Sequence, residues 1–296
     1  MLQAMSTAAT GMQAQETQIQ VIANNLANAS TPGFKVSVAR FQDLLYVNER
    51  QAGTQSSQTS FVPTGESIGL GSKTAAVDQV FTEGELDNTG NPLDVAVQGN
   101  GFFQVSMPDG SIAYTRDGSF RTDQNGRVVT LDGYAVLPGI NIPQNAQNIT
   151  IGPDGTVSVQ VGNQVQPTQV GQLQLMNFLN PAGLQPMGQN LYKQTQASGA
   201  PQSGVGGQNG FGSIAQGFLE MPNESTVQEL VGLISAQRAY EASSKAVQVA
   251  DQMQSIANGL SASIQQAQSQ FDVTMGTMRS VQRTEKQIAS RQQRTH

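Results

Sequence analysis

Cysteine and tryptophan are absent from the 296-residue chain, and its one histidine is the final residue, His296. That excludes a disulfide, a thiolate metal site and a cysteine nucleophile, and it leaves a histidine-based acid–base centre almost nothing to work with. Charge is also scarce: 12% of residues are charged and 5% are aromatic. A chain of this length can bury a real core in two or three domains, but that core must be built mainly from small side chains. No stretch is apolar enough for a membrane span. Met1–Gln15 holds neither Lys nor Arg, so a cleavable secretory signal and membrane insertion are both unexpected. The net charge of −6 is unevenly placed, with 10 Lys+Arg against 19 Asp+Glu in residues 1–270 and 5 against 2 in residues 271–296. The acidic body repels phosphate and the basic tail has no interleaved aromatics, so nucleic acid is not an expected partner and the tail reads as a solvated, frayed terminus.

What the chain does have is helical periodicity at its two ends. Near the start, Met5, Met12, Ile19 and Leu26 recur every seven residues, and Ala8, Ile22 and Ala29 follow three behind the first, third and fourth of them. This predicts a coiled-coil-like helix of about 36 Å. Asn28 to Gly33 should stop it, because Pro32 pushes Thr31 out of helical angles and Gly33 accepts the turn. At the far end, Thr226–Ile264 predicts a second helix of about 58 Å. Its seam is Ala239, Ala242, Ala246, Val249, Met253, Ile256 and Leu260, in alternating steps of three and four. Ser225 or Thr226 should cap it, with Glu229 completing a capping box. Neither helix can hide its own seam, and the first carries only Glu16 as a charge. The sharper of two readings therefore packs these helices among copies of the same chain.

Between the helices the period falls to two. Asp94-Val95-Ala96-Val97, Phe102-Phe103 and Val105 are punctuated by Pro108-Asp109-Gly110, Asp117-Gly118, Asn125-Gly126 and Asp132-Gly133. That spacing predicts a meander of short antiparallel strands. Asp109, Asp117, Asp123, Asp132 and Asp154 could be imagined as a catalytic or calcium cluster, but four of the five precede Gly, where a short acidic side chain closes a turn. The Gly69–Thr74 stretch fails as a phosphate loop because Ser72 separates Gly71 from Lys73. Asn180–Ser213 reads as an irregular connector.

These pieces resemble the flagellar rod and hook axial protein family. Ala8-Ala9-Thr10-Gly11-Met12, Asn24-Asn25-Leu26-Ala27-Asn28 and Thr31-Pro32-Gly33-Phe34-Lys35 are similar to its N-terminal signature. Gly90-Asn91-Pro92-Leu93-Asp94, Gly99-Asn100-Gly101-Phe102-Phe103 and Tyr114-Thr115-Arg116-Asp117-Gly118-Ser119-Phe120 resemble its β-domain signature. Gln216-Gly217-Phe218-Leu219-Glu220 and Ala236-Gln237-Arg238-Ala239-Tyr240-Glu241 resemble its C-terminal block. The polar insert after Tyr46, ending in Val62-Pro63-Thr64-Gly65 and Ile68-Gly69-Leu70-Gly71, resembles the distal-rod branch; proximal rod and hook members are the alternatives within the family. The resemblance implies a subunit with no enzymatic activity and no cofactor or metal. It implies export without cleavage through the flagellar type III apparatus and helical polymerisation into a drive shaft in the basal body, spanning the periplasm. Proximal rod proteins, hook proteins and the P and L rings are the implied neighbours. A surface fibre or adhesin and a wall hydrolase are the competing classes.

The expected fold is α+β, with discontinuous N- and C-terminal helices around an antiparallel β-rich middle. The expected divisions are an N-terminal helix at 1–33, a polar linker at 34–79, a β domain at 80–213, a C-terminal helix at 214–270 and a basic tail at 271–296. Subunit packing is expected at Met5, Met12, Ile19, Leu26, Ala239, Ala246, Val249, Met253, Ile256 and Leu260. In the family, chains end close to Leu260 or Ile264, so the last stretch has no counterpart to explain it.

Overall fold

A computed structural model of the chain describes residues 2–53, 61, 63–162 and 166–292. Part of the polar insert, residues 54–60 and 62, falls outside these. The α+β expectation holds: α1 (Leu2–Ala27) and α2 (Thr226–Gln292) flank a middle of short antiparallel strands. The chain divides into two compact units. One contains residues 14–42 and 74–238, and the other contains residues 1–13, 43–73 and 239–296.

In the first unit, a seven-stranded antiparallel sheet runs in the order Gln185–Gly188, Leu191–Lys193, Ile112–Thr115, Phe103–Ser106, Ala135–Leu137, Val128–Val129 and Arg121–Thr122. Five of these strands, from Phe103–Ser106 to Ala135–Leu137 in chain order, are joined around the Asp-Gly and Asn-Gly turns. The carboxylates do what turn residues do. Asp109 accepts from the Ser111 amide and hydroxyl at 2.8 and 2.6 Å, Asp123 from the Asn125 and Arg127 amides, and Asp154 from the Thr156 amide at 3.0 Å. A three-stranded sheet, Ala146–Ile151, Thr156–Val161 and Thr168–Gln172, lies beyond. Alternation places Val95, Val97, Phe103, Val105, Val136, Val157, Val159, Leu173 and Leu175 in one core, with Phe120 edge-on to Phe103 at 5.1 Å between centroids. Val and Leu dominate it, as the aromatic shortage requires. The aromatics are instead concentrated in a second cluster, where Phe81, Phe102, Tyr114, Phe178 and Tyr192 meet in T-shaped pairs with centroids 4.8–6.1 Å apart. Such edge-to-face pairs satisfy ring quadrupoles and give a small set of rings more cohesion than area alone.

Several boundaries differ from the sequence reading. The 180–213 stretch is not an irregular connector: Gln185–Gly188 and Leu191–Lys193 form a hairpin that extends the main sheet, and Leu191 and Tyr192 are buried. Composition hides it because the residues between the two strands are turn-formers, with Gln189 and Asn190 both in left-handed backbone. The 34–79 region is paired rather than a linker, since Ser37–Asp43 ladders with Ser72–Gln79 and Tyr46–Arg50 with Glu66–Gly69. The C-terminal helix does not begin at 214. Ser213–Gln216 pairs with Val95–Gln98, and Phe218–Glu220 with Leu86–Asn88. Nor does it stop at 270, because α2 continues through the basic tail to Gln292 as one helix of 67 residues, about 100 Å long. A helix lacking Gly-Pro punctuation has no local reason to end, and no Pro occurs after Pro222. Among the described residues no helix is long and apolar enough to cross a membrane.

The two helices lie antiparallel within this unit. Asn25 of α1 donates to Glu229 of α2 at 2.7 Å, and Ile22 stands over Gly232, where a β-carbon would lie 3.4 Å from its Cδ1. The covered positions are Ala14, Ile22 and Asn25 on α1 and Glu229 and Ala236 on α2.

In the second unit, residues 2–13 of α1 lie beside α2 from Ala239 onward, with Gly11 facing Ser243 at 3.7 Å from a built β-carbon to the hydroxyl. Ala250 is the fully covered position of α2 here. The Tyr46–Arg50 and Glu66–Gly69 hairpin completes this unit, and Gly71 presses on Thr10. The Gly69–Thr74 stretch runs from the end of one strand into the start of the next rather than from a strand into a helix, which removes the phosphate-loop reading on topology as well as spacing.

Candidate functional site

Two features stand out, one in each unit. The first is a cluster of buried charge. Lys35 follows the turn that ends α1, where Gly33 takes φ of +71° with the Asp117 amide so close that a side chain could not fit. Arg116 ends the Ile112–Thr115 hairpin strand, and Glu220 ends Phe218–Glu220. All three are essentially without solvent exposure. Lys35 Nζ donates to Glu220 Oε1 at 2.6 Å and to the Thr82 carbonyl at 2.6 Å. Arg116 Nη1 donates to the Gly99 and Gly101 carbonyls, and its Nη2 reaches Glu220 Oε1 at 3.3 Å. Arg116 Nε stands 3.0 Å from Glu220 Oε2. The Gly84 amide adds a third donor to Glu220 Oε1, and Glu220's own carbonyl accepts from the Gly33 amide at 2.7 Å.

One carboxylate thus holds two cations in a volume from which water is excluded. Burial pulls the Lys35 ammonium below its ordinary range, with Glu220 pulling it back and Arg116 pushing further down. The arrangement survives because every cation has geometry-matched acceptors. With all three side chains sealed from solvent, none is open to a substrate, and the cluster acts as a clamp. Nearby, Asp94 accepts from Thr89, Asn91 and Arg121 at 2.7–2.8 Å, tying the Asn91-Pro92-Leu93-Asp94 turn to the hairpin end. Asn223 spans Val36 on one side and Val80 and Thr82 on the other.

In the sequence Lys35, Arg116 and Glu220 stand out only as parts of motifs. The available signal was context. In a chain so poor in charge, Lys35 sits between Phe34 and Val36 and Glu220 between Leu219 and Met221, so charges occupy apolar runs where a solvated face is impossible.

The start of α2 departs from the capping-box expectation. Ser225's carbonyl accepts from the Glu229 amide at 3.1 Å, opening the helix, while the Glu229 side chain turns to Asn25. Burial pushes the Glu224 carboxyl up to about 7, together with a hydrogen bond shared with Glu229 and repulsion from it, although the residue as a whole is exposed. A folded-state value above the ordinary 4.5 gives a contribution to stability that is full below pH 4.5 and lost as pH rises through about 7. Hydrogen exchange at residues 226–229 is therefore expected to quicken between about pH 5 and 8, and Glu224→Gln to flatten that slope. Identical slopes in the two proteins would rule out the shared proton.

The second feature is the predicted seam. Met5 and Met12 on the one hand, and Ile19 and Leu26 on the other, are half-buried in their respective units. Ala239 is half-buried. Ala246, Val249, Met253, Ile256 and Leu260 are exposed, Ile256 at 69% and Leu260 at 61%. Within the unit these α2 residues share a helix face by spacing, yet the chain does not cover it. The covered strip, through Ala239, Ser243, Val247 and Ala250, starts on the predicted seam at Ala239 and then runs one position away from it. A row of exposed apolar residues on a helix is unusual for a chain that works alone.

A buried clamp that ties chain ends to a β middle, with an uncovered helical seam, defines the helix–β–helix class of flagellar axial subunits. Three family matches agree with it. The family described as "Flagella basal body rod protein" matches residues 5–35, the "Flagellar hook protein FlgE/F/G D1 domain" matches 96–159, and the "Flagellar basal body rod FlgEFG protein C-terminal" matches 215–260. Each matched segment supplies one member of the clamp: Lys35, Arg116 and Glu220 in turn. The chain is 50% identical over 244 residues to the flagellar basal-body rod protein FlgG of Buchnera aphidicola subsp. Schizaphis graminum, covering 82% of this chain and 94% of that protein. It is 49% identical to FlgG of Agrobacterium fabrum, over 86% and 98% of the two chains, and 45% identical to FlgG of Borreliella burgdorferi, over 88% and 99%. The chain belongs to the FlgG family of flagellar basal-body rod proteins. It is a structural subunit of the flagellum, located in the rod of the basal body.

Proposed function

We propose that the chain polymerises helically into the distal rod, the shaft that carries motor torque to the hook, and that Val249, Met253, Ile256 and Leu260 are contacts between copies. The observation that carries this is the exposed seam. Each of those residues is apolar and uncovered in the single chain, and one helix face repeated by a screw operation yields heterologous contacts that never close into a ring. Met5, Met12, Ile19 and Leu26, only half-covered, supply the complementary surface. The clamp fits a torque-bearing role, because a β unit cross-tied by buried ion pairs to both chain ends resists shear between them. Proximal rod proteins, hook proteins and the P and L ring proteins are the neighbours such a shaft meets, and the type III export apparatus is its route outward. A chain without cysteine passes that route with no risk of a premature disulfide. The subunit does this without catalysis; the turn carboxylates that a hydrolase reading would enlist are committed to backbone amides. Removing the chain from the cell tests the proposal: micrographs of basal bodies should show a rod cut short before the hook, restored by re-expression. Complete rods with attached hooks in its absence would overturn it.

A further inference from the structure

We propose that residues 261–278 extend the self-association surface, the apolar stripe of α2 beyond Leu260 packing against the same stretch of a second copy of this chain. The inference rests on the polymerisation reading above and adds a segment to it. From Leu260, steps of four, three, four, four and three lead to Ile264, Ala267, Phe271, Met275 and Met278. All five are exposed, Phe271 at 65% and Met278 at 62%. They continue the seam on the same uninterrupted helix, but the family match ends at residue 260 and the relatives are already covered almost completely. The stripe is thus an addition of this chain to a face the family already has.

Its period points to like packing with like. Leu260 and Phe271, Ile264 and Met275, and Ala267 and Met278 are each eleven residues apart, a repeat of about 3.67 residues per turn, whereas the Ala239–Leu260 seam runs at about 3.5. The stripe therefore stays nearly parallel to the helix axis, as long straight helices laid side by side require. Charge points the same way. From Gln252 through Phe271 there is no charged residue, although the helix is exposed nearly all round. A solvated helix of this length normally carries charged flanks, and a foreign partner is normally selected by complementary charge. In an array of identical helices, by contrast, any flank charge risks meeting its own sign in the next copy, and Gln and Ser hydrogen-bond to themselves without that penalty.

Self-association of the purified full chain, followed by sedimentation, tests this. A chain truncated after Ala262 and the variant Phe271→Asp should each associate at least ~tenfold more weakly than the parent. Ser269→Asp places the same charge on the opposite side of α2 and should leave association unchanged, with circular dichroism showing equal helix in both point variants. Equal association of parent, truncation and Phe271→Asp would overturn the added segment while leaving polymerisation through the Ala239–Leu260 seam intact. Equal weakening by Ser269→Asp would overturn the assignment of the contact to this face. Failure of the full chain to associate at any concentration would overturn both this inference and the polymerisation on which it rests.

Discussion

Glu220→Gln is expected to destabilise the β unit by roughly 3–5 kcal/mol, the range for removing one partner of a buried ion pair. The glutamine has nearly the same shape, so packing is preserved and the loss is electrostatic. Lys35 and Arg116 would stay sealed from water with their shared counter-charge gone, and the Lys35 and Gly84 donors would meet at best a neutral amide oxygen. Lys35→Met gives the necessary contrast. It removes a cation that burial already disfavours; Glu220 Oε1 keeps Arg116 and the Gly84 amide, the Thr82 carbonyl keeps Asn223, and the expected cost is about 1–2 kcal/mol. Urea unfolding of the two variants and the parent at one pH reads the difference directly. If Glu220→Gln unfolds at the parent's midpoint, the cluster is not the tie that holds the three matched segments together.

The second large effect concerns assembly and should leave stability almost untouched. Ile256 is 69% exposed in the chain, so Ile256→Asp should change unfolding by no more than about 0.5 kcal/mol. In a polymer that covers the same position, the carboxylate enters an apolar contact with no cation near it, since the nearest charged residue along α2 is Asp251. Rod formation should then be lost, by a factor of at least ~100 in association. Ala236→Leu is the opposite case. Ala236 is buried in the chain itself, so the larger side chain should destabilise by about 1–3 kcal/mol through overpacking. A motile strain with complete rods carrying Ile256→Asp would show that the exposed seam is not a contact between copies.

The comparison of Ile256 with Ala236 shows where reading residues in order succeeds and where it stops. Helix existence, the α1 terminator at Asn28–Gly33 and the Asp-Gly hairpins follow from forces between near neighbours, so they were legible in spacing and turn chemistry. The continuation of α2 past residue 270 follows from the absence of proline after Pro222, which counts for more than the basic composition of the tail. The strand pairing of Leu191–Lys193 with Ile112–Thr115 joins segments some eighty residues apart, and nothing local to either names the other.

The same division applies to the site. Periodicity identified an apolar seam on each helix, because a side chain's angular position depends only on its place in the repeat. Which strip the chain covers was a matter of fit. Helices approach closely where Gly11 meets Ser243 and Gly232 meets Ile22, so the strip of small residues turned inward and the larger Val249, Met253, Ile256 and Leu260 were left facing out. Likewise each of Lys35, Arg116 and Glu220 is visible as a charge in apolar company, but their meeting depends on the turn after α1 and two strand ends arriving at one point. Short-range forces are encoded residue by residue, whereas a contact across two hundred residues exists only when the whole chain has chosen one arrangement.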